Sequence, residues 1–216
     1  SAEERNRLFV FLVLIFFSIT FWACFEQAGS SMTLFAEAQV DRHVLGWEVP
    51  TAWFQAVNPF FIITLAIPFS LMWLKLGKAK LDPSPSLKFA LGLLQMAGGF
   101  VAMVIGAREA AVSGSTSIFW LILAYFLHTT GELCLSPVGL STVTKMSPAR
   151  LVGLMMGMWF LSNAFAGVIS GQIAAATGAE AGYADVYQMI VYFGGGAGVL
   201  LLLLTPLLKK LERSAG

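Results

Sequence analysis

Long runs of apolar residues, separated by short polar connections, dominate the pattern along this chain. Six runs are long enough to cross a membrane as helices, because a spanning helix needs about 20 mostly apolar residues. They cover approximately residues 8–35, 53–76, 87–107, 118–144, 151–176 and 183–208. The runs are too long for the strands of a membrane barrel and lack their alternation of apolar and polar positions. The pattern therefore predicts an all-α membrane protein with six transmembrane helices.

The composition supports a membrane protein. Of the 216 residues, 57% are hydrophobic and 12% are charged, and the mean hydropathy is +0.78, whereas soluble domains carry about 25% charged residues. The two cysteines, Cys24 and Cys134, have the spacing of neither a metal site nor a disulfide framework. The net charge of +1 provides no basic field for nucleic acid. These features exclude a soluble enzyme, a disulfide-rich secreted scaffold and a disordered chain.

The basic residues predict an orientation in the membrane. Of the 13 Lys and Arg residues, only Arg42 and Arg108 fall on one side of the six runs, and eleven fall on the other. The eleven are Arg5, Arg7, Lys75, Lys78, Lys80, Lys88, Lys145, Arg150, Lys209, Lys210 and Arg213. Lysine and arginine accumulate on the cytoplasmic side of membrane proteins. We therefore predict a multi-pass protein of the plasma (inner) membrane, with both termini of this chain in the cytoplasm.

Glu26 and Glu132 are acidic residues that interrupt the interior of apolar runs. A charge at the bilayer centre costs at least about 2.5–3.5 kcal/mol, so such a side chain normally faces a bundle interior or a water-filled cavity. The functional interpretation is a proton relay or a partner for a charged substrate. The alternative is a helix–helix hydrogen bond from a permanently neutral acid. Because one six-helix unit contains two such residues, we favour the functional interpretation.

Polar residues near these two carboxylates recur at helical spacing. Residues four apart share one face of a helix. Trp22 and Glu26 have this spacing in the first run, and His128, Glu132 and Ser136 have it in the fourth. We therefore expect each carboxylate to lie on a face that carries further polar or aromatic groups.

Two prolines adjoin polar residues and predict local breaks. Pro137 follows Ser136 and frees a backbone carbonyl one turn back, and Pro59 follows Asn58 in the second run. Kinked helices with polar groups at mid-depth are the way in which transporters build substrate sites. The alternatives are a packing kink for each proline and an interhelical hydrogen bond for Asn58.

His128 and Glu132 could also be considered as metal ligands. Two ligands are fewer than the three or four that a zinc site needs. The other histidine, His43, lies in a predicted outer connection. We therefore expect no metal site and no cofactor.

Glycines and one tryptophan predict packing in the last two runs. Three pairs of glycines have the small-xxx-small spacing that lets helices approach closely. The pairs are Gly153 and Gly157, Gly167 and Gly171, and Gly194 and Gly198. Trp159 lies in the middle of the fifth run, where its indole needs a hydrogen-bond partner or a pocket to line, or serves in plain packing.

Several of these residues form motifs that resemble a known family. The sequence FWACFEQ at 21–27 resembles the seventh-helix motif of proton-coupled oligopeptide transporters, which belong to the major facilitator superfamily. The sequence GELCLSPVGLS at 131–141 resembles their tenth-helix motif and is the more specific match. Asn58-Pro59 suits the eighth helix, and MWFLS at 158–162 the eleventh. The resemblance covers nearly the whole chain as helices seven to twelve of a twelve-helix protein.

The resemblance implies a role for each candidate residue. Glu132, together with Asn58, would hold the ammonium group of a di- or tripeptide. Ser136 and Trp159 would line the same pocket, with Trp22 nearby. The substrate-binding set that the resemblance implies is therefore Glu132, Asn58, Ser136, Trp159 and Trp22.

Glu26 has a different implied role. By the resemblance it would pair with a basic residue on the other half of the transporter and take part in proton coupling. The family's first-helix E-x-x-E-R motif and the polar motif of its fifth helix do not occur here. The resemblance therefore implies that residues 1–216 form the C-terminal six-helix bundle, one half of a major-facilitator-type fold, and that its partners are an N-terminal half, the bilayer, protons and a peptide.

Two other classes of function compete with a proton-driven peptide symporter. A polytopic membrane enzyme could use Glu26, His128 and Glu132 as acid–base or metal-binding groups, but it needs a nucleophile or a third ligand converging on the site, and the sequence offers none. A non-transporting assembly subunit leaves both intramembrane carboxylates unexplained. We therefore expect a transporter and not an enzyme.

Overall fold

Seven α-helices account for most of the chain in a computed structural model, which describes residues 2–147, 149–179 and 182–213. The two ends of the predicted 1–216 unit therefore lie outside the described residues. The helices are α1 Ala2–Phe25, α2 Ser31–Gln39, α3 Val57–Lys78, α4 Pro85–Ser113, α5 Ile118–Met146, α6 Val152–Ala179 and α7 Tyr183–Arg213. Three short 3₁₀ helices occupy Glu26–Gly29, Thr51–Ala56 and Ala149–Leu151. Six helical segments have the length and apolar character to cross a membrane, which confirms the predicted all-α architecture with six spans.

The first span is not one continuous helix. It reaches from Glu4 to Gln39, but α1 ends at Phe25 and the 3₁₀ turn Glu26–Gly29 separates it from α2. Ser30, with φ −128° and ψ −96°, departs from helical geometry. The interruption that Glu26 makes in the apolar run is therefore a break in the backbone as well.

Local capping explains the boundaries of the two central helices. Pro85 opens α4, where a missing N–H costs no hydrogen bond, and the Ser84 hydroxyl accepts from the backbone N–H of Leu87. Gly114 ends α4 in the left-handed conformation, at φ 82°. The hydroxyl of Ser117 then caps the start of α5. Both helices run to 29 residues, enough to span a bilayer with some tilt.

Close packing of α4 against α5 depends on glycines that recur every seven residues, about two helical turns. These are Gly92, Gly99 and Gly106. A Cβ atom on Gly92 would lie 2.9 Å from the carbonyl oxygen of Gly131 in α5, and one on Gly99 would lie 2.5 Å from the ring of His128. At Gly92 the nearest atom belongs to the backbone, so a larger residue there would force the two helices apart.

The predicted glycine pairs have different outcomes. A Cβ atom on Gly194 would lie 2.7 Å from Met96, and one on Gly198 would lie 3.0 Å from Leu94. This pair lets α7 approach α4, as predicted. The glycines of the other two pairs have no atom within 4 Å of that position in the described part of the chain: Gly153, Gly157, Gly167 and Gly171.

Four two-residue strands join the connections at one end of the bundle. Val40–Asp41 pairs in parallel with Thr116–Ser117, and His43–Val44 pairs antiparallel with Trp47–Glu48. These strands lie in connections, where the apolar pattern predicted none. The backbone N–H and the ring of His43 contact the Asp41 carboxylate and hold the pKa of that group below its usual range.

The opposite end of the bundle carries the basic connections. Arg150, after α5, lies 3.8 Å from the carboxylate of Glu4 at the start of α1. Lys88, in the first turn of α4, forms an ion pair of 2.8 Å with Asp82 and lies 4.5 Å from the ring centre of Trp73. Connections that the charge pattern assigns to one side therefore meet in space.

Helices α3 and α6 expose long apolar faces. None of the residues of α3 is buried, and its helix neighbour is α5. Large side chains on both helices are more than half exposed: Phe60, Ile63, Ile67, Leu154, Phe160, Phe165 and Val168. In water such faces would be unstable, so lipid or further protein must cover them.

Candidate functional site

Asn58 in the first turn of α3 contacts Glu132 in the middle of α5. The side-chain amide of Asn58 donates to Glu132 Oε2 and to Thr129 Oγ1, each at 3.0 Å. The Thr129 hydroxyl donates in turn to the backbone carbonyl of Tyr125, at 2.7 Å. The structure therefore brings together the two residues that the resemblance assigns to one site, and it also shows the interhelical hydrogen bond that was the alternative for Asn58.

The two prolines beside these residues act differently. Pro59 lies in the first turn of α3, where N–H groups have no acceptor within the helix, so it does not break the helix. The predicted local break is instead the change from the 3₁₀ helix Thr51–Ala56 to α3. Pro137 lies inside α5, where it leaves the carbonyl of Leu133 without a helical partner.

Glu132 opens into a small cavity between α3 and α5. The cavity has a volume of about 270 Å³ and is lined by Ile62, Glu132, Leu133, Ser136, Pro137 and Leu140. Ser136 therefore shares the cavity with Glu132, as expected from their spacing. Leu133 and Pro137 also line a larger space of about 690 Å³ that extends toward Trp73 and Lys88. The carboxylate thus lies at one end of a groove that continues along α3.

The two candidate tryptophans lie away from this cavity. Trp159 is only 5% exposed and packs on Phe89, with 6.4 Å between ring centres. It also covers Gly139, where a Cβ atom would lie 2.4 Å from the indole. Trp22 is half-buried and makes an edge contact with Phe25, at 5.2 Å. In this chain Trp159 therefore packs within the bundle, and neither tryptophan lines the space beside Glu132.

Glu26 is exposed and faces a second cavity. This cavity has a volume of about 190 Å³ and is lined by Phe25, Glu26, Ala28, Gly29, Gln55, Asn58, Pro59 and Tyr125. Asn58 lines it and also bonds to Glu132. The side chain of Asn58 therefore contacts both the cavity at Glu26 and the carboxylate of Glu132.

Side chains from neighbouring elements satisfy the backbone at the break beside Glu26. The carbonyl of Ala28 is contacted by three donors: Thr33 Oγ1 at 2.9 Å, Gln55 Nε2 at 3.0 Å and Tyr125 Oη at 3.2 Å. The hydroxyl of Tyr187 in α7 donates to the carbonyl of Ser31, at 3.0 Å. A buried backbone carbonyl without a partner is costly, so these contacts make the interrupted conformation stable.

His128 and Glu132 do not act as a pair. His128 is buried, with its ring 4.7 Å from that of Phe100 in α4, whereas Glu132 contacts Asn58 in α3. Among the described residues, the ring of His128 contacts the backbone of Met96 in α4 and makes no side-chain hydrogen bond. That part of the chain also holds no group of three or more His, Cys, Asp or Glu side chains able to bind a metal ion.

Comparison with known proteins decides the family. The model of the POT family, PTR2, matches residues 1–190. The chain belongs to the POT family. A solved POT structure, the peptide transporter POT in complex with sulfate, is 38% identical, has a TM-score of 0.86 and is matched over 98% of this chain. This agrees with the six-helix arrangement described above.

Two named proteins are also similar over the whole or nearly the whole chain. The peptide transporter YePEPT of Yersinia enterocolitica is 39% identical, and the alignment covers 100% of this chain and 43% of that protein. The dipeptide and tripeptide permease A of Cronobacter turicensis is 33% identical, with 99% and 44% covered. In the solved structure the share is 42%. The chain therefore spans less than half the length of these relatives and of the solved structure.

Sequence reasoning missed several residues around the site of this POT chain. Thr129 shares the Asn58 amide with Glu132, and Gln27, Gln55 and Tyr125 surround the break beside Glu26. Thr129 could have been found, because it lies three residues before Glu132 and therefore on the same face. The partners of the break could not, because they join residues as far apart as 156 positions.

Proposed function

We propose that this chain forms the C-terminal six-helix half of a proton-driven symporter of di- and tripeptides. Membership of the POT family supports the proposal, and so do the names of its relatives, a peptide transporter and a dipeptide and tripeptide permease. Because the chain spans less than half of those proteins, the activity belongs to an assembly of this chain with a further half.

The observation that carries the proposal is the position of Glu132 beside Asn58. A carboxylate in a partly buried cavity strongly favours a cationic partner. The described residues around Glu132 provide a neutral amide, a hydroxyl and apolar groups, and no lysine or arginine lines its 270 Å³ cavity. A peptide's ammonium group would supply the missing cation. Asn58 would hold one carboxylate oxygen and leave the other for the ligand.

The exposed faces of α3 and α6 support a second half. The face of α6 carries Gly153, Gly157, Gly167 and Gly171, which meet nothing within 4 Å in the described part of the chain. Small residues at this spacing let another helix approach closely. Transporters of this kind place the substrate near the midplane, between two halves. We propose that an N-terminal half covers these faces and completes the cavity beside Glu132.

Glu26 is the proposed proton-coupling residue. Its side chain points into a cavity rather than into the bundle, so its environment depends on what the other half places opposite. A carboxylate holds its proton when it is desolvated and releases it beside a cation. If the other half presents a basic residue in only one conformation, Glu26 would load and release a proton during each cycle.

The proposed location is the plasma membrane, with both termini of this chain in the cytoplasm. The basic connections support this orientation, because they lie together at one end of the bundle and lysine and arginine favour the cytoplasmic side. The opposite end, with Arg42 and the short strands, would then face outward.

Uptake by the full-length transporter tests the proposal. In proteoliposomes with an inward proton gradient, we expect accumulation of a labelled dipeptide that collapses when the gradient is dissipated. Residues 1–216 expressed alone should insert into the membrane but carry no peptide, and they serve as a control. Absence of dipeptide uptake by folded full-length protein would overturn the proposal.

The role of Glu26 has a separate test. In Glu26→Gln, we expect loss of proton-driven uptake, whereas peptide counterflow, which needs no net proton movement, is retained. Equal loss of both activities in folded protein would make Glu26 a structural or substrate-binding residue. Full retention of both would place the coupling site elsewhere.

A further inference from the structure

The side chain of Gln27 links the break in the first span to α6. Gln27 is fully buried, and its Nε2 donates to the carbonyl of Ser170 at 3.0 Å, to the Ser170 hydroxyl at 2.9 Å and, more weakly, to the carbonyl of Ala23 at 3.4 Å. Its Oε1 accepts from the hydroxyls of Ser31 at 2.8 Å and Ser30 at 3.4 Å. Both the NH₂ group and the oxygen of this amide are therefore hydrogen-bonded.

The hydrogen bonds of Gln27 restrict the geometry of the 3₁₀ turn. A buried amide that loses its partners pays the full cost of desolvation, so the turn is held where the bonds of Gln27 to Ser170 and Ser31 can form. Ser170 lies 143 positions away from Gln27 in the sequence. Gln27 is the residue of the 3₁₀ turn whose side chain bonds directly to α6 in the described part of the chain.

Glu26 and Gln27 are neighbours that point in different directions. Successive residues of a 3₁₀ helix are about 120° apart around its axis, because one turn contains three residues. With Gln27 anchored inward on α6, Glu26 is directed outward into the cavity that Gln55, Asn58 and Tyr125 line. The direction of the Glu26 carboxylate is therefore set by a bond that its neighbour makes.

We propose that Gln27 is a positioning residue for Glu26: its hydrogen bonds to Ser170 fix the 3₁₀ turn on α6 and aim Glu26 into the cavity beside Asn58. The inference rests on the proposed coupling role of Glu26. A shift of α6 during transport would move this anchor and, through it, the Glu26 carboxylate. Helix α6 thereby gains a direct influence on the proton-coupling group.

The direction of side chain 26 can be measured without transport. In the full-length protein, with its native cysteines replaced, Glu26→Cys is labelled with a maleimide, alone and together with Gln27→Leu. Release of the turn should slow labelling about three- to fifteenfold, the range that single interhelical hydrogen bonds span in membrane proteins. Ser170→Ala removes only the hydroxyl acceptor and should give a smaller slowing, and it provides the test if Gln27→Leu does not fold.

Gln95→Leu is the matched control. Gln95 is a half-buried glutamine whose amide donates to the carbonyl of Leu91 at 3.1 Å, within α4, and to the sulfur of Cys134 in α5 at 3.4 Å. The same chemical change there should leave labelling at position 26 unchanged. The proposal would be overturned if neither Gln27→Leu nor Ser170→Ala changed the labelling rate at position 26. It would also be overturned if Gln95→Leu slowed labelling as much as Gln27→Leu does.

The consequence for coupling is measured with Glu26 intact. Gln27→Leu should reduce proton-driven dipeptide uptake about three- to fifteenfold and shift its pH profile, with counterflow retained, whereas a purely structural loss would lower both activities together. Normal coupling in Gln27→Leu, in an assay where wild type transports, would overturn the proposal and leave the proposed function standing. If wild type carries no dipeptide, the proposed function fails, and the labelling rates still decide whether Gln27 positions residue 26.

Discussion

The crossing of α4 and α5 at Gly131 provides a stability prediction that can be worked out from the structure. Gly131 directly precedes Glu132, so this crossing fixes the height of the carboxylate in the bundle. A Cβ atom on residue 131 would lie 2.7 Å from the carbonyl oxygen of Gly92, and ordinary contact begins at 3.4 Å. In Gly131→Ala the helices must therefore separate by about 0.7 Å at this point. Both clashing groups belong to the backbone or to a Cβ, so no side-chain rotation relieves the contact.

A steric cost and a gain in helix propensity together decide how Gly131→Ala changes the free energy of unfolding. Overpacking costs about 1–3 kcal/mol, and alanine gains about 0.8–1.0 kcal/mol of helix propensity over glycine. Because the clash is with rigid backbone, we expect the upper part of the steric range and a net loss of about 1–2 kcal/mol in the free energy of unfolding.

Gly98→Ala is the matched control for this change. Its Cβ would meet only a terminal carbon of Leu127, at 3.8 Å, which is an ordinary contact. This variant should be as stable as wild type or more stable by up to about 1 kcal/mol. Reversible unfolding of the full-length protein in mixed micelles, followed by tryptophan fluorescence, gives both values. A Gly131→Ala protein as stable as Gly98→Ala would refute the assigned close approach.

Two further predictions rest on specific contacts, and a third rests on the distribution of the basic residues. Gly139→Ala should displace the indole of Trp159, which the new Cβ would overlap, and should lower the stability of the protein. Adding Trp159→Leu to Gly139→Ala should restore part of that stability. An unchanged Trp159 emission spectrum in Gly139→Ala would contradict this prediction. Asn58→Leu removes two interhelical hydrogen bonds of about 0.6 kcal/mol each. The free energy of unfolding should therefore fall by about 1 kcal/mol. A variant more stable than wild type would count against these bonds. Cysteines at Lys78 and Arg42 should be labelled in intact cells only at position 42, by a reagent that does not cross the membrane; strong labelling at 78 would reverse the orientation.

The sequence was most informative where the bilayer or a motif limits the alternatives. Apolar runs of about 20 residues must be helices in a bilayer, because every backbone group has to be satisfied internally. The six spans could therefore be predicted from hydropathy alone. The contact of Asn58 with Glu132 was expected only from the resemblance, since nothing in their spacing of 74 positions brings them together.

The packing of the helices depends on which of their faces meet. The sequence alone did not determine those faces. The seven-residue repeat of Gly92, Gly99 and Gly106 was a usable signal for the α4–α5 contact and was missed in favour of small-xxx-small pairs. The resemblance implied that Trp159 lines the substrate pocket, with plain packing as the alternative, and in this chain its indole packs on Phe89 and Gly139. Its role in binding remains a prediction, as do the roles of Ser136, Trp22 and Glu26.

Binding of one dipeptide in two forms tests the central proposal that Glu132 holds the peptide's ammonium group. Affinity for the free-amine dipeptide and for its N-acetylated form is measured by calorimetry with full-length wild type and with Glu132→Gln, in which an amide replaces the carboxylate and the contact with Asn58 can persist. In wild type, we expect acetylation to weaken binding at least about thirtyfold, because losing one partner of a buried charge pair costs about 2 kcal/mol or more. In Glu132→Gln, the free-amine dipeptide should bind as weakly as the acetylated one. Full discrimination between the two forms in Glu132→Gln would contradict the account.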